Sequence, residues 1–197
     1  MDISANRAAR LTALLLILTV VTQIIYFAIY SGGGEPPRMI IWTAEAVAFL
    51  GVSVFALVAL ARQPLHSAMW AAIAMGGVLN VVQVGMGLAM FAPLQDAGEA
   101  MAPAFGAVLA GAFFLYFAGK FLFGFAAILI GLGVARSGGG AGKALGGLAA
   151  LAGLAALLAN LGAMAKGMDL VFPAGAAGTA ATLLLALLLW RAVDDPA

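Results

Sequence analysis

Charged and amide side chains inside long apolar segments are the residues of this sequence with the most chemistry to offer. Glu45 lies well inside the segment that ends at Arg62, and Lys120 lies well inside the segment that ends at Arg136. The amides in comparable positions are Gln23, Asn80, Gln83 and Asn160. A charge or an amide in hydrocarbon is disfavoured by ~1–3 kcal/mol or more, so these side chains should face protein or water. They are therefore the candidate ligand-binding residues.

These candidate residues are predicted to share one layer. A helical rise of ~1.5 Å per residue places Glu45 ~25 Å from Arg62 along the helix axis. With the same rise, Gln23, Asn80, Lys120 and Asn160 each lie ~20–25 Å from the end of their own span that is on the same side as Arg62, and Gln83 lies one turn further from that end than Asn80. We therefore expect a polar layer in the half of the membrane that lies away from the N-terminus.

Two interpretations of this layer stay open. In one, Glu45 and Lys120 form a charge pair at the base of a polar pocket that opens outward, and aromatic rings near Lys120 make a cation–π contact. In the other, Glu45 lies among headgroups, Lys120 extends towards the interface, and the rings face lipid. The amides would then form hydrogen bonds between helices, with no role in ligand binding.

Other chemistries lack the residues they need. The chain has no cysteine and one histidine, His66, which excludes disulfides, thiol catalysis and bis-histidine haem. No nucleophile–base arrangement, paired intramembrane carboxylates or phosphate-binding glycine loop is present, so we predict no catalytic residue, metal or cofactor. The net charge of +1 argues against a nucleic-acid partner.

The composition predicts the elements that must position the candidates. Hydrophobic residues make up 65% of the 197 residues and charged residues 9%, whereas soluble domains are about half apolar and about a quarter charged. About 20 apolar residues form one membrane-crossing helix. The predicted spans are approximately 11–30, 39–60, 67–91, 103–135, 145–164 and 173–190. The expected fold is all-α, a bundle of six transmembrane helices within a single domain, residues 1–197.

The distribution of basic residues predicts the orientation. Arg10, Arg62 and Arg136 mark one side of the membrane, whereas the opposite loops carry Glu35 and Asp96 among other acidic residues. By the positive-inside rule, both termini are cytoplasmic. Four aromatic residues are assigned to an interfacial belt at the opposite, outer side: Tyr26, Tyr30, Trp42 and Tyr116. The sixth span has no strongly polar residue, so it is expected to pack at the periphery.

Three segments of the second half resemble a widespread bacterial family. They are KFLFG at 120–124, GLGVARSG at 131–138 and LGGL at 145–148. The family consists of six-span inner-membrane proteins classified as a domain of unknown function. The resemblance covers about a third of the chain and implies a six-span inner-membrane protein, without implying an activity or site residues.

The functional hypothesis is a module that binds or translocates a small solute or an amphiphile in the inner membrane. Glu45, Lys120, Asn80, Gln83 and Asn160 would contact the ligand, with Gln23 as a secondary contributor. The alternative is a structural or assembly subunit, in which the polar layer joins helices and the partner is another membrane protein or a second copy of the chain. An enzyme is the less favoured class, because no catalytic arrangement is present.

Overall fold

The computed structural model describes residues 3–63 and 66–191, which are helical and contain no β-strand. Their α-helices, numbered in chain order, are α1 (Ala5–Ser31), α2 (Arg38–Arg62), α3 (Ser67–Met86), α4 (Ala92–Asp96), α5 (Ala102–Ser137), α6 (Gly140–Lys166) and α7 (Val171–Arg191). A π-helical segment, Gly87–Phe91, joins α3 to α4, and 3₁₀ turns precede α5 and α7. The prediction of an all-α chain is confirmed.

Local sequence explains where the helices begin and end. The Ser4 hydroxyl accepts a hydrogen bond from the Arg7 backbone N–H at 3.3 Å and caps the start of α1. Pro37 precedes α2, where a missing backbone N–H costs little. Gly98 and Gly167 have φ angles of 76° and 73°, which favour glycine, and they begin the turns that lead to α5 and α7.

Five helices close a ring, and a sixth packs outside it. Helix α1 packs on α2 and α7, α2 packs on α3, and α5 packs on α3 and α7. Helix α6 contacts α5 and α7 and lies outside the ring. The Phe27–Phe172 and Trp42–Phe91 ring contacts lie at one end of the bundle, here called the α1–α2 end. The Arg10–Trp190 contact lies at the opposite end.

The contact between α5 and α6 is a glycine seam formed by Gly124, Gly131, Gly146 and Gly153. A Cβ atom on Gly131 would lie 2.6 Å from the Gly146 carbonyl oxygen, and a Cβ atom on Gly146 would lie 2.6 Å from the Gly131 carbonyl oxygen. Such distances are too short for real contacts, so only glycine allows the two backbones to come this close. The seam holds α6 against the outside of the ring.

Five segments are long and apolar enough to cross a membrane, and they identify a multi-pass membrane protein. The sequence predicted six spans, and the difference lies in the last segment, Gly140–Arg191, which combines α6 and α7. The 3₁₀ turn Gly167–Leu170 leaves no non-helical residue between these helices. By length and composition, the structure therefore gives five candidate spans where six were predicted.

The position predicted for the last span is wrong. Helix α7 packs against α1, α5 and α6, and its buried residues include Gly178, Thr182 and Leu185. The absence of strongly polar residues suggested a peripheral helix, but small residues allow close packing just as well. The helix outside the ring is α6, whose face away from α5 presents leucines that include Leu151, 68% exposed.

Candidate functional site

Six polar side chains from four helices meet inside the ring, and they are called here the polar cluster. Its members are Thr22 and Gln23 on α1, Glu45 on α2, Tyr116 and Lys120 on α5, and Thr179 on α7. Helices α1 and α5 have no backbone contact within the described residues, so these long side chains span the space between them. The cluster therefore joins parts of the chain that are far apart in sequence.

Lys120 is the buried charge of the polar cluster, with 1% of its surface exposed. Its Nζ donates a hydrogen bond to Gln23 Oε1 at 2.9 Å and lies 5.6 Å from the centre of the Tyr116 ring. Its stem lies against Gly178, where an added Cβ atom would be 2.9–3.0 Å from the Lys120 Cβ, Cγ and Cδ atoms. Gly178 therefore provides the space through which the lysine stem reaches the cluster.

Gln23 connects the members of the cluster that surround Lys120. Its Oε1 accepts hydrogen bonds from Lys120 Nζ and from Thr179 Oγ1, each at 2.9 Å. Its Nε2 donates to the Tyr116 hydroxyl. The amide thus uses both its donor and its acceptor across α5 and α7. The sequence predicted Gln23 as a secondary contributor, whereas the structure places it at the centre of the cluster.

Glu45 occupies the other side of the cluster. Its Oε1 accepts a hydrogen bond from Thr22 Oγ1 at 2.9 Å, and its second carboxylate oxygen has no hydrogen-bond partner among residues 3–63 and 66–191. Glu45 and Lys120 attract each other electrostatically but form no direct ion pair in the part of the chain that the structure describes. The charge pair of the first interpretation is therefore not formed, and α1 contacts the two charges separately.

Aromatic rings bound the cluster on two sides. Phe49 and Phe123 lie about one helical turn beyond Glu45 and Lys120, and their rings stack at 6.3 Å with an interplanar angle of 17°. Towards the α1–α2 end, Trp42 stacks on Tyr26 at 6.2 Å and contacts Phe91 edge-on at 5.8 Å. The charged groups therefore lie in a slot between two aromatic layers.

Two candidate amides lie outside the cluster. Asn80 is buried between α3 and α5, where Nδ2 donates to the Gly76 carbonyl at 2.8 Å. Asn160 is buried between α6 and α7, and its Nδ2 donates to the Ala156 carbonyl at 2.8 Å and the Ala174 carbonyl at 3.1 Å. Among the described residues, the Oδ1 atoms of both side chains have no hydrogen-bond partner. The predicted layer is thus divided among separate places in the bundle.

Gln83, the remaining candidate, is partly buried on α3 and makes no hydrogen bond within the described residues. It precedes Gly87, which begins the π-helical segment and packs against Trp42, with 2.9 Å between a Cβ added at Gly87 and the Trp42 ring. The structure does not bring Gln83 into the polar cluster.

Sequence reasoning missed Thr22, Tyr116 and Thr179. Tyr116 was assigned to the interfacial belt, but it precedes Lys120 by about one helical turn, a spacing that places two side chains on one helix face. That spacing was the available signal. Thr22 and Thr179 carry no such signal, because their partners Glu45 and Gln23 lie on other helices.

The polar cluster combines charged and neutral hydrogen-bonding groups. It presents an ammonium group, a carboxylate, three hydroxyl groups and an amide, which hydrogen bonds connect across four helices. No group of three or more His, Cys, Asp or Glu side chains able to hold a metal occurs within residues 3–63 and 66–191. Comparison of the chain with protein-family models, curated proteins and solved structures finds no match.

Proposed function

We propose that this chain is a six-span protein of the bacterial inner membrane that binds a small polar solute or an amphiphile at the polar cluster and translocates it. The six crossings require α6 and α7 to cross separately. Helices α6 and α7 have 27 and 21 residues, and each is therefore long enough to span ~30 Å of hydrocarbon. Their mutual packing and the positive φ of Gly167 support a reversal between them.

The proposed orientation places both termini in the cytoplasm, so that the α1–α2 end faces outward. Arg7, Arg10, Arg62 and Arg136 lie at the opposite end of the bundle, which the positive-inside rule assigns to the cytoplasm. Glu45 lies about two helical turns into α2, and Gln23 lies about two turns before the end of α1. The polar cluster would accordingly lie in the outer half of the membrane.

The observation that carries the proposal is the bonding of Lys120. A buried ammonium group has three donors, yet within the described residues it makes one hydrogen bond, to a neutral amide oxygen. A bundle held together by polar contacts alone gains nothing from such a charge, because amides such as Asn160 join helices at lower desolvation cost. Retaining the charge is understandable when it contacts a ligand.

The experiment compares small molecules that co-purify with the wild-type protein and with Lys120→Met and Glu45→Gln variants. Lys143→Met and Glu35→Gln remove exposed charges at the helix ends and serve as matched controls. Mass spectrometry should detect a molecule that is retained by both controls and reduced by about tenfold or more in both cluster variants, provided that gel filtration shows intact protein. Normal retention by folded Lys120→Met and Glu45→Gln proteins would contradict the proposal.

The assembly-subunit alternative is favoured by one feature, the position of α6 outside the ring. Its exposed leucines include Leu148, Leu151 and Leu158, which follow one side of the helix. This face would pack against another membrane protein or a second copy of the chain. Cysteine cross-linking at Leu151 in membranes tests it, since the chain has no native cysteine. A specific cross-linked product would support assembly, whereas lipid contact alone gives none.

A further inference from the structure

We infer that the group bound by the polar cluster is zwitterionic, with its anionic end on Lys120 and its cationic end on Glu45. The inference rests on the proposed function and narrows the class of its ligand. The shared chemistry is a negative and a positive group joined by a short linker. A free amino acid and the ethanolamine phosphate headgroup of a lipid both have this chemistry.

The first argument comes from the separation of the two charges. Lys120 and Glu45 belong to α5 and α2, which have no backbone contact within the described residues. The charges attract each other without forming a direct ion pair. Lys120 is buried and Glu45 is partly buried, and two opposite charges that are held apart in this way are each poorly compensated. A ligand that carries both charges compensates both of them at once.

The second argument comes from the two side chains that α1 places on these charges. Gln23 offers an acceptor to Lys120, and the residue before it, Thr22, offers a donor to Glu45. An acceptor on the lysine and a donor on the glutamate are what the carboxylate and ammonium groups of a zwitterion would offer. Gln23 and Thr22 therefore occupy the positions beside Lys120 and Glu45 that the two charged ends of a zwitterion would take.

The third argument is that hydrogen-bonding capacity remains on both charges. Among the described residues, Lys120 uses one of its three donors, and one Glu45 oxygen has no partner. A hydrogen bond between two charged groups adds their Coulomb attraction to the charge-assisted bonds that Gln23 and Thr22 already form. A zwitterion would accordingly compete with Thr22 and Gln23, and its binding would release these two side chains from Glu45 and Lys120.

The surroundings also suit a linker that is short and apolar. The stacked rings of Phe49 and Phe123 lie on one side of the slot, and Trp42 lies towards the α1–α2 end. A lipid headgroup could reach Glu45 from the surface groove between α1 and α2, whose lining includes Leu18, Ala44 and Val47. A lipid would place an acyl chain in this groove, whereas a free amino acid would not occupy it.

The experiment measures binding to the purified full-length protein by titration calorimetry. The free probes are glycine, β-alanine, γ-aminobutyrate and ε-aminohexanoate, each compared with the carboxylate and the amine of matching chain length. The lipid probes are short-chain phosphatidylethanolamine and phosphatidylglycerol. At least one zwitterion should bind about tenfold or more tightly than both of its singly charged counterparts. Preference for phosphatidylethanolamine over the free probes would identify the lipid as the source.

Four variants test the assignment of the two charges. Lys120→Met and Glu45→Gln should each abolish the preference for the zwitterion, whereas Lys120→Arg, which keeps the cation, should retain it. Gln23→Ala should tighten zwitterion binding, because it removes a competing acceptor from Lys120. A merely structural network would show no such gain. Lys120→Arg keeps the test decisive if Lys120→Met fails to fold.

Two outcomes would overturn the inference and leave the proposed function intact. In the first, a carboxylate alone binds as tightly as the zwitterion and its affinity is unaffected by Glu45→Gln, which would indicate a simple anion site. In the second, no zwitterionic probe binds, although the wild-type protein retains a co-purified molecule that Lys120→Met loses. If neither variant affects any bound molecule, both the inference and the proposed function are wrong.

Discussion

The polar cluster and the glycine seam are two ways in which this bundle brings helices together, and they differ in the charge and hydrogen-bonding capacity that they leave unused. The glycine seam joins α5 and α6 by contact between backbones, and Asn160 at its end bonds to its own helix and to α7. The polar cluster keeps α1 and α5 apart and fills the space with long side chains. The glycine seam therefore brings helices together without charge, whereas the polar cluster retains two charges with unused hydrogen-bonding capacity.

The comparison also shows how an amide that joins helices differs from one that serves a charge. Asn80 and Asn160 donate to carbonyl groups one turn back on their own helices, and Asn160 adds one bond to a neighbour. Gln23 makes no bond to its own helix and contacts Lys120, Tyr116 and Thr179 instead. Position in a common layer did not separate these roles, because the helix face decides which neighbour an amide reaches.

The glycine seam should be the most sensitive region to an added methyl group. Gly146→Ala places a Cβ atom against backbone atoms of Gly131 and Ala135, which cannot move aside like a side chain. We expect a loss of about 3 kcal/mol in stability, the upper part of the range for overpacked cores. Gly147→Ala is the matched control, since nothing lies within 4 Å of its added Cβ atom. Thermal unfolding in detergent compares the two variants. Equal unfolding temperatures would contradict the claim that close packing of α5 and α6 requires glycine at position 146.

The polar cluster should respond in the opposite way to the loss of its buried cation. Lys120→Met keeps the stem and removes the charge, and Gln23 Oε1 still accepts from Thr179. We expect stability to rise by about 1–2 kcal/mol, because a charge inside the membrane is costly and Lys120 bonds to a neutral amide and not to a carboxylate among the described residues. The same thermal unfolding assay measures this change. A marked loss of stability in Lys120→Met would mean that the cluster, like the seam, serves mainly to hold helices together.

Asn160 provides a smaller test on the structural side of the comparison. Asn160→Ala removes the hydrogen bond to the Ala174 carbonyl, and interhelical bonds of this kind contribute about 1 kcal/mol or less. We expect a modest fall in unfolding temperature and unchanged retention of the co-purified molecule. Leu161→Ala, a truncation at a neighbouring exposed position, should change neither quantity. Loss of the bound molecule in Asn160→Ala would mean that Asn160 contributes to ligand binding, as the sequence predicted.

The helices were predictable because the apolar segments and their breaks are local features. Each predicted span coincides with a helix, and glycine or proline marks most of the connections. The sequence predicted two spans in the last segment, at 145–164 and 173–190, whereas the 3₁₀ turn Gly167–Leu170 continues the helical structure of α6 into α7 and the segment counts as one candidate span. Chain length and hydropathy do not distinguish two crossings joined by such a turn from one long segment.

The site was predictable in its charges and in Gln23, but not in its hydroxyl groups. Glu45 and Lys120 were recognisable because charge within an apolar segment is rare and costly. The two threonines of the cluster were not recognisable, because Thr22 and Thr179 are ordinary residues of apolar helices and gain importance from the packing of α1 and α7 around α5. The order in which the helices follow one another around the bundle depends on tertiary contacts. The residue periodicity within one helix does not encode this order.

Thr22 gives the smallest expected change in stability and the sharpest test of how α1 participates. Thr22→Val keeps the shape of the side chain and removes the donor to Glu45. The Glu45 carboxylate is only partly buried, so the loss of this donor does not leave a fully buried charge without a partner. We expect a stability change of about 0.5 kcal/mol, as for a weak interhelical hydrogen bond. If Thr22 occupies the position of a ligand's cationic group, Thr22→Val should bind the preferred zwitterion more tightly. If Thr22 instead helps to hold the ligand, calorimetry should show weaker binding, and α1 would be part of the site and not a competitor for it.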